Sequence, residues 1–319
     1  MELPPAVDVD LDLIRDRHDL GSEDAHQLTQ VGIFNTVYAL GDDLILRVPR
    51  NHPFFVQTAR KELLAVPEAR AAGVRTPAIV AYDDSCEVVP VPYAVYERAP
   101  GESLEAIGCD PEEAADAWRE FGTDLARTHT GIDRTGPLAG FEPEDVEDAW
   151  TLLAGVAVAG NVTTLETRWL EAWLAELAPA AETPLPERFV HGDSQASNVL
   201  ARRDPLAYEG VIDWGGCGWS SPVRDFAGIP LRAVPHVLAG YRDVAPAEAE
   251  EGVEAKVLWR HLQLALYNLR RPPQPRLNWA ERPATMLIEI LRFFAAPPPA
   301  WADLRPPAAP HGRWQPWNA

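Results

Sequence analysis

Between residues 189 and 214, apolar runs bracket a short polar insert. Phe189-Val190 leads into His191-Gly-Asp193-Ser-Gln-Ala-Ser-Asn198, then Val199-Leu200 follows, and Gly210-Val-Ile-Asp213-Trp214 closes the stretch. The polar segment Arg202–Tyr208 between them contains Asp204-Pro205, a turn signal. The pattern predicts a hairpin of two strands, Asn198–Ala201 and Gly210–Asp213. Folded so, Asn198 and Asp213 come to the same end, with Asp193 in the loop just before. Two carboxylates and one amide then converge at one spot.

That set suits phosphoryl transfer. A nucleoside triphosphate needs Mg2+ to neutralise its oxygens, and Mg2+ prefers oxygen ligands. Asn198 and Asp213 can supply them, while Asp193 orients an acceptor hydroxyl and takes its proton. No residue need form a covalent bond to substrate, so catalysis would come from positioning and charge stabilisation. Other phosphate and metal signatures are missing: there is no GxxxxGK[ST] loop, no full GxGxxG after a strand and no HExxH.

The rest of the chain divides near Pro100-Gly101. Residues 1–100 read as strand-rich with one helix. Val31–Leu40 and Leu44–Val48 are β-prone runs around the turn triplet Gly41-Asp42-Asp43, Thr58–Ala72 is a helix that stops at Gly73, and Ala78–Ala81 and Tyr93–Tyr96 are further strands. Residues 101–319 are mostly helical. Helices are predicted at Pro111–Thr130, at Leu165–Leu177 with Leu165, Trp169, Trp173 and Leu177 at four-residue steps, and at Val253–Leu269. The tryptophans on these faces read as core. An acidic loop, Phe141–Asp148, lies between the first two helices, and Pro297–Ala319 is irregular. The seam between two such lobes is where a small ligand binds.

Composition narrows the partners. The 319 residues carry a net charge of −20, which argues against nucleic acid, whose phosphates need a basic face. The same charge also fits a salt-adapted cytoplasm or a field that attracts cations. No long uncharged apolar run suggests a membrane span, and Met1–Asp12 lacks the basic end and apolar stretch of a secretion signal. Cys86, Cys109 and Cys217 form no CxxC pair, so a reducing cytoplasm fits. Only two lysines occur, Lys61 and Lys256.

His191-Gly-Asp193-x-x-x-x-Asn198 followed by Ile212-Asp213-Trp214 resembles the catalytic and metal loops of the aminoglycoside phosphotransferase and choline kinase superfamily. The resemblance spans roughly residues 28 to 230. It implies an α+β, protein-kinase-like bilobal fold, with a small β-rich N-terminal lobe and a larger, mainly helical C-terminal lobe. Pro222-Val-Arg-Asp225-Phe-Ala is similar to a further family segment, which makes Asp225 a structural brace of the catalytic loop, and His191 is likewise a scaffold by resemblance. Val31–Tyr38, with Gly32 and Asn35, looks like the nucleotide loop. Leu44–Val48 looks like the strand that presents a Lys to the phosphates, but the position here is Arg47. Arginine is always charged and can hold phosphate, so the role survives, with Glu62 as ion-pair partner. Tyr93–Gly101 resembles the hinge that reads the nucleobase, through the Glu97 carbonyl and the Ala99 amide.

The resemblance thus implies a phosphotransferase that uses ATP or GTP with Mg2+, with Asp193 as base and Asn198 and Asp213 as metal ligands. Only twelve steps separate Asp213 from Asp225 and no Ala-Pro-Glu follows, which favours a small-molecule acceptor over a peptide. Aminoglycoside- or macrolide-type antibiotics are the first acceptor class. Metabolic sugars or amino alcohols are the alternative, and a non-catalytic nucleotide-binding regulator is a third reading. The acidic run Glu142–Asp148 could meet an amino sugar or be a solvated loop. The late segment Lys256–Arg276, with Arg260, Arg270, Arg271 and Arg276, is basic and does not look like a polycation cleft.

Overall fold

The computed structural model describes residues 4–21, 24–28, 34–246, 252–273 and 283–308. Helix α1 (Leu11–His18) opens with Asp10, whose carboxylate accepts the Leu13 N–H at 3.1 Å. Five strands follow, interrupted by one helix: β1 (Ala25–Gln27), β2 (Asn35–Leu40), β3 (Leu44–Pro49), α2 (Pro53–Ala71), β4 (Ile79–Asp83) and β5 (Tyr93–Glu97). They form one antiparallel sheet in the order β1-β2-β3-β5-β4. Alternation in β3 points Leu46 inward with Val95 of β5 and Ile14 of α1, so the small lobe has its own core. Helix α2 begins five residues before the predicted Thr58. Pro53 occupies its first turn, where a missing N–H does no harm, and the His52 ring accepts the Phe54 N–H.

The second lobe starts with β6 (Glu102–Ser103), α3 (Leu104–Ile107) and α4 (Ala115–Gly131). Helices α5 (Ala149–Val158) and α6 (Thr164–Ala181) come next, then β7 (Arg188–Val190), β8 (Val199–Arg203), β9 (Leu206–Val211) and β10 (Gly218–Ser220), and finally α7 (Val234–Val244) and α8 (Val253–Arg270). A further helix spans Thr285–Phe293. The sequence reading has no α5 or α7. On α6 the buried face is Leu170, Trp173, Leu174 and Leu177, while Leu165 is exposed. A helix of 3.6 residues per turn rotates a strict four-residue stripe off its face, which is why the predicted stripe fails at Leu165. Trp118, Trp173, Trp214 and Trp301 are all within 2% of full burial in the main core. Removing each from water contributes on the order of 2–3 kcal/mol.

The predicted hairpin is present, in longer form. β8 and β9 pair from Val199↔Val211 to Arg203↔Leu206, so Asp204 and Pro205 alone make the turn. Arg202–Tyr208, read from sequence as a polar connection, belongs mostly to the strands. Its arginines are exposed to solvent, and Arg202 pairs with Glu209 of β9. β6 adds a third strand beside β8. There Gly101, at φ +92°, passes so close that a Cβ would lie 2.3 Å from the Ala201 carbonyl oxygen. Among the described residues no helix is long and apolar enough to cross a membrane.

Candidate active site

The hairpin brings the carboxylates together as the spacing requires. The Ile212 N–H donates to the Asn198 carbonyl at 2.9 Å, which sets Asn198 and Asp213 at one end. The Asn198 Nδ2 donates to the Asp193 carbonyl at 2.8 Å and to its Oδ2 at 3.0 Å. Gln195 Nε2 donates to both Asp193 carboxylate oxygens, at 2.9 and 3.1 Å. Asp193 is thus held from two sides. Burial is the main influence that raises its pKa above the ordinary aspartate range, and the charge of Asp213 adds to it.

The loop that carries Asp193 is anchored by buried groups. The Asp225 carboxylate accepts the His191 N–H and the Gly192 N–H, each at 2.7 Å. It also accepts from His129 Nε2 at 2.9 Å, and His129 Nδ1 accepts from the Tyr241 hydroxyl at 2.9 Å. Burial opposes ionisation of Asp225, but these donors outweigh it and keep the pKa below the usual range. His191 donates from Nε2 to the Ile212 carbonyl at 3.1 Å and accepts the Asp193 N–H at Nδ1. Both ring nitrogens are therefore engaged within the loops, a neutral tautomer inferred from its partners. Gly192, at φ +84°, lies against the next loop: a Cβ there would sit 2.0 Å from the Gly216 carbonyl oxygen.

Arg47 enters from β3. Its Nη1 donates to Glu62 Oε1 on α2 at 2.5 Å and its Nη2 to Asp213 Oδ1 at 3.1 Å. The guanidinium also lies 5.7 Å from the Tyr96 ring centroid. Burial works against its charge, but Glu62 and Asp213 more than offset this and hold its pKa above the free value. Burial likewise lifts the Glu62 carboxyl to about 7, against the pull of Arg47. The Trp214 N–H donates to the same carboxylate, so α2 is fastened to the Asp213 loop. Asp213 itself adopts φ 70°, a left-handed conformation a non-glycine residue rarely takes outside a constrained site.

Asn35, Arg47, Glu62 and Tyr96 line a small cavity of about 10 Å³, room for one water molecule. Gly32 lies outside the described residues. Glu97 ends β5, where its N–H donates to the Ala78 carbonyl and its side chain accepts the Ala78 N–H. Ala99 lies two residues on, half-buried in the strand-to-lobe connection, and its N–H has no protein partner among the described residues. Lys61 does not face this cavity. It donates to the Glu142 and Cys217 carbonyls of the large lobe, at 2.7 and 3.1 Å. Sequence reasoning missed Gln195, Tyr96, His129 and Tyr241. Gln195 lay inside the motif, two residues after Asp193, where loop side chains commonly bond backward. Nothing local marks the other three.

Residues 29–255 match the family model described as the phosphotransferase enzyme family, APH. The chain belongs to that family. This makes it a small-molecule kinase. No curated protein is similar to it at the sequence level. Among solved structures it is similar to the GDP complex of aminoglycoside 2'-phosphotransferase-IIIa, at 19% identity, TM-score 0.63, over 87% of this chain and 96% of that one. It is also similar to a choline/ethanolamine kinase family protein from Mesorhizobium loti, at 19% identity, TM-score 0.56, over 92% and 97%. A third is APH(2")-IIa, solved with streptomycin and ATP, at 16% identity, TM-score 0.53, over 89% and 97%. At these identities the structural likeness establishes the kinase-like bilobal fold that this family shares.

Proposed function

We propose that this chain transfers the γ-phosphoryl group of ATP or GTP to a hydroxyl group of a small molecule, with Asp193 as the base. The observation that carries the proposal is the Asp193 carboxylate, held by Gln195 and Asn198 beside Asp213. The acceptor oxygen attacks the γ-phosphorus while the bond to the bridging oxygen breaks. The hydroxyl proton passes to Asp193 and the nucleoside diphosphate leaves. A carboxylate with a raised pKa suits that task, because its proton affinity lies closer to working pH.

Asn198 and Asp213 fit a Mg2+ ion. Asn198 turns its Nδ2 toward Asp193, so its oxygen remains for a cation, with only a 3.4 Å contact from Ser197 Oγ. Asp213 engages Arg47 through one carboxylate oxygen. Among the described residues no three His, Cys, Asp or Glu side chains converge as a metal cage. That donor set suits a cation which keeps water and takes further oxygens from the triphosphate. When bound, the ion would neutralise the phosphate oxygens. Arg47 adds positive charge from β3, and we assign the Glu97 carbonyl, the Ala99 N–H, Asn35 and Gly32 to the nucleotide. The solved complexes of two similar structures contain GDP or ATP, which supports a nucleotide co-substrate. We place the lobe boundary near Pro100, with 1–100 as nucleotide lobe and 101–319 as catalytic lobe.

For the acceptor, one observation favours a metabolic compound over a polycationic antibiotic. Glu147 is held by Arg270 through two bonds of 2.7 and 2.6 Å, and Asp148 caps α5, so two of the five acidic side chains of Glu142–Asp148 are already engaged. The regulator reading is disfavoured by the ordered Asp193. Asp193→Asn keeps the shape and removes the proton acceptor. The expected result is a kcat lower by roughly 10²–10⁴ with nucleotide affinity and melting temperature retained. Near wild-type phosphorylation by that variant would end the base assignment.

A further inference from the structure

The loop His191–Asn198 does not need the side chain of Gln195 to keep its shape. The Gln195 N–H donates to the Asp193 carbonyl at 3.0 Å, and the Gln195 carbonyl accepts the Asn198 N–H at 2.9 Å. Asn198 Nδ2 already fixes Asp193 through its carbonyl and its Oδ2, at 2.8 and 3.0 Å. The half-buried Gln195 side chain therefore adds something other than loop support. Its Nε2 stands 2.9 Å from Asp193 Oδ1 and 3.1 Å from Oδ2. Nearly equidistant from both oxygens, it sits on the midline of the carboxylate rather than at one end. An ionised carboxylate only accepts, so the NH2 group of the amide must face it and Oε1 is turned away.

A base needs a free lone pair. The Asp193 carboxylate offers about four acceptor positions. Gln195 takes one on each oxygen and Asn198 takes a second on Oδ2. That is three of about four, so roughly one remains, on Oδ1. Hydrogen bonds to a charged group are stronger than those between neutral groups. A hydroxyl with no other hold on the protein does not displace them, and water is such a hydroxyl. An acceptor is held by its remaining groups, and that binding energy can be spent on moving the amide aside.

We propose that Gln195 is a positioning residue that withholds Asp193 from water and yields it to a bound acceptor, and so sets the preference for the acceptor over hydrolysis. The inference rests on the phosphotransfer reading and says how that same site restrains its base. When the acceptor displaces the amide, its hydroxyl donates to Asp193 and its oxygen bonds to the γ-phosphorus. The bond to the bridging oxygen breaks and the proton passes to Asp193. With the restraint removed, water takes the same course. Its oxygen bonds to the γ-phosphorus, the bridging bond breaks, Asp193 takes one proton, and nucleoside diphosphate and inorganic phosphate leave.

The test is hydrolysis of ATP and of GTP by the full chain with Mg2+ and without an acceptor, read as released phosphate. Gln195→Met keeps the length of the side chain and removes both donors. We expect it to hydrolyse nucleotide roughly 10–100-fold faster than wild type, the worth of a charge-assisted hydrogen bond, with little change in nucleotide KM. Gln195→Asn keeps the amide but is one methylene shorter, so a smaller rise is expected. Gln195→Met combined with Asp193→Asn should fall back to the rate of Asp193→Asn alone, because the gain passes through the base. Loss of loop support would lower hydrolysis rather than raise it. Calorimetric titration with ADP and Mg2+ reports that each variant is folded, and Gln195→Ala serves if the Met variant is not. A folded variant that hydrolyses nucleotide no faster than wild type would overturn the proposal, as would a gain that survives Asp193→Asn. If wild type binds neither ATP nor GTP, the phosphotransfer reading fails and the inference falls with it, whereas intact binding with unchanged hydrolysis removes only the role of Gln195.

Discussion

Arg47 connects two carboxylates that would otherwise repel each other across a poorly solvated cavity. Glu62 is 5% exposed, and Asp213 is the proposed metal ligand. Arg47→Ala removes the shared cation and leaves Glu62 buried without it. The expected loss is about 3–5 kcal/mol of stability, the usual effect of breaking a buried pair, together with a higher nucleotide KM and a lower kcat. Arg47→Lys keeps the charge but cannot reach both carboxylates with one fork, so partial activity is expected. Denaturant titration and steady-state kinetics on both variants check this, and a wild-type Arg47→Ala would remove Arg47 from the site. A second residue sets acid stability. His261 is 2% exposed, its Nε2 has no partner, and burial lowers its pKa from 6.5 to about 4, against a backbone hydrogen bond to Phe226. The unfolded chain takes a proton below pH 6.5 that the folded one refuses. This contribution is therefore complete above about pH 6.5 and lost as pH falls toward 4, by ~3 kcal/mol at most. Glu62, lifted to about 7, acts in the opposite direction as pH rises from 4.5. The difference between wild type and His261→Gln isolates the histidine: denaturation between pH 4.5 and 7.5 should show a flatter acid limb in the variant.

At the scale of elements, the Asp193 loop owes its position to the turn Pro222–Phe226 and to α4, which supplies His129. Asp225 joins them by accepting three hydrogen bonds at full burial. Asp225→Asn presents an NH2 group to at least one of those donors. The expected cost is roughly 1–3 kcal/mol, with a fall in kcat, because the displaced loop carries Asp193. Hydrogen exchange should localise the damage: the Gly192 amide should lose protection before the amides of β8 and β9. Uniform loss of protection would mean that Asp225 supports the whole lobe and not the loop.

Across the whole molecule, polar bonds tie the lobes together at several points, among them Arg75 to Asp124, Trp214 Nε1 to Thr76 Oγ1, and the bonds of Lys61. Lys61 reaches from α2 to the Glu142 and Cys217 carbonyls, and it lies 5.5 Å from the Phe141 ring centroid. The other lysine has a similar office within the large lobe, where Lys256 Nζ donates to the Ala180 and Thr183 carbonyls at the end of α6. Lys61→Met keeps the stem and removes both bonds. We expect a stability loss of about 1–3 kcal/mol, seen as a fall of a few degrees in melting temperature, and faster amide exchange near residues 141–143. An unchanged melting temperature and exchange would show that the other inter-lobe bonds, such as Arg47 to Asp213 and Arg75 to Asp124, hold the lobes without Lys61.

The sequence by itself determined the hairpin, the convergence of Asp193, Asn198 and Asp213, and the alternation of a β-rich and a helical half. Each follows from short-range rules: turn residues at fixed spacing, period-two and helical patterns, and oxygen donors a few residues apart. Where those rules competed, local reading failed. Pro53 starts α2 rather than blocking it, and the stripe through Leu165 turns away from the core. Only the tertiary structure decided what the charges do. Arg47 meets Asp213 across 166 residues of chain, Asp225 meets His129 across 96, and Glu147 meets Arg270 across 123. No spacing rule reaches that far, because the energy of a charge depends on burial and on the neighbours that folding brings to it.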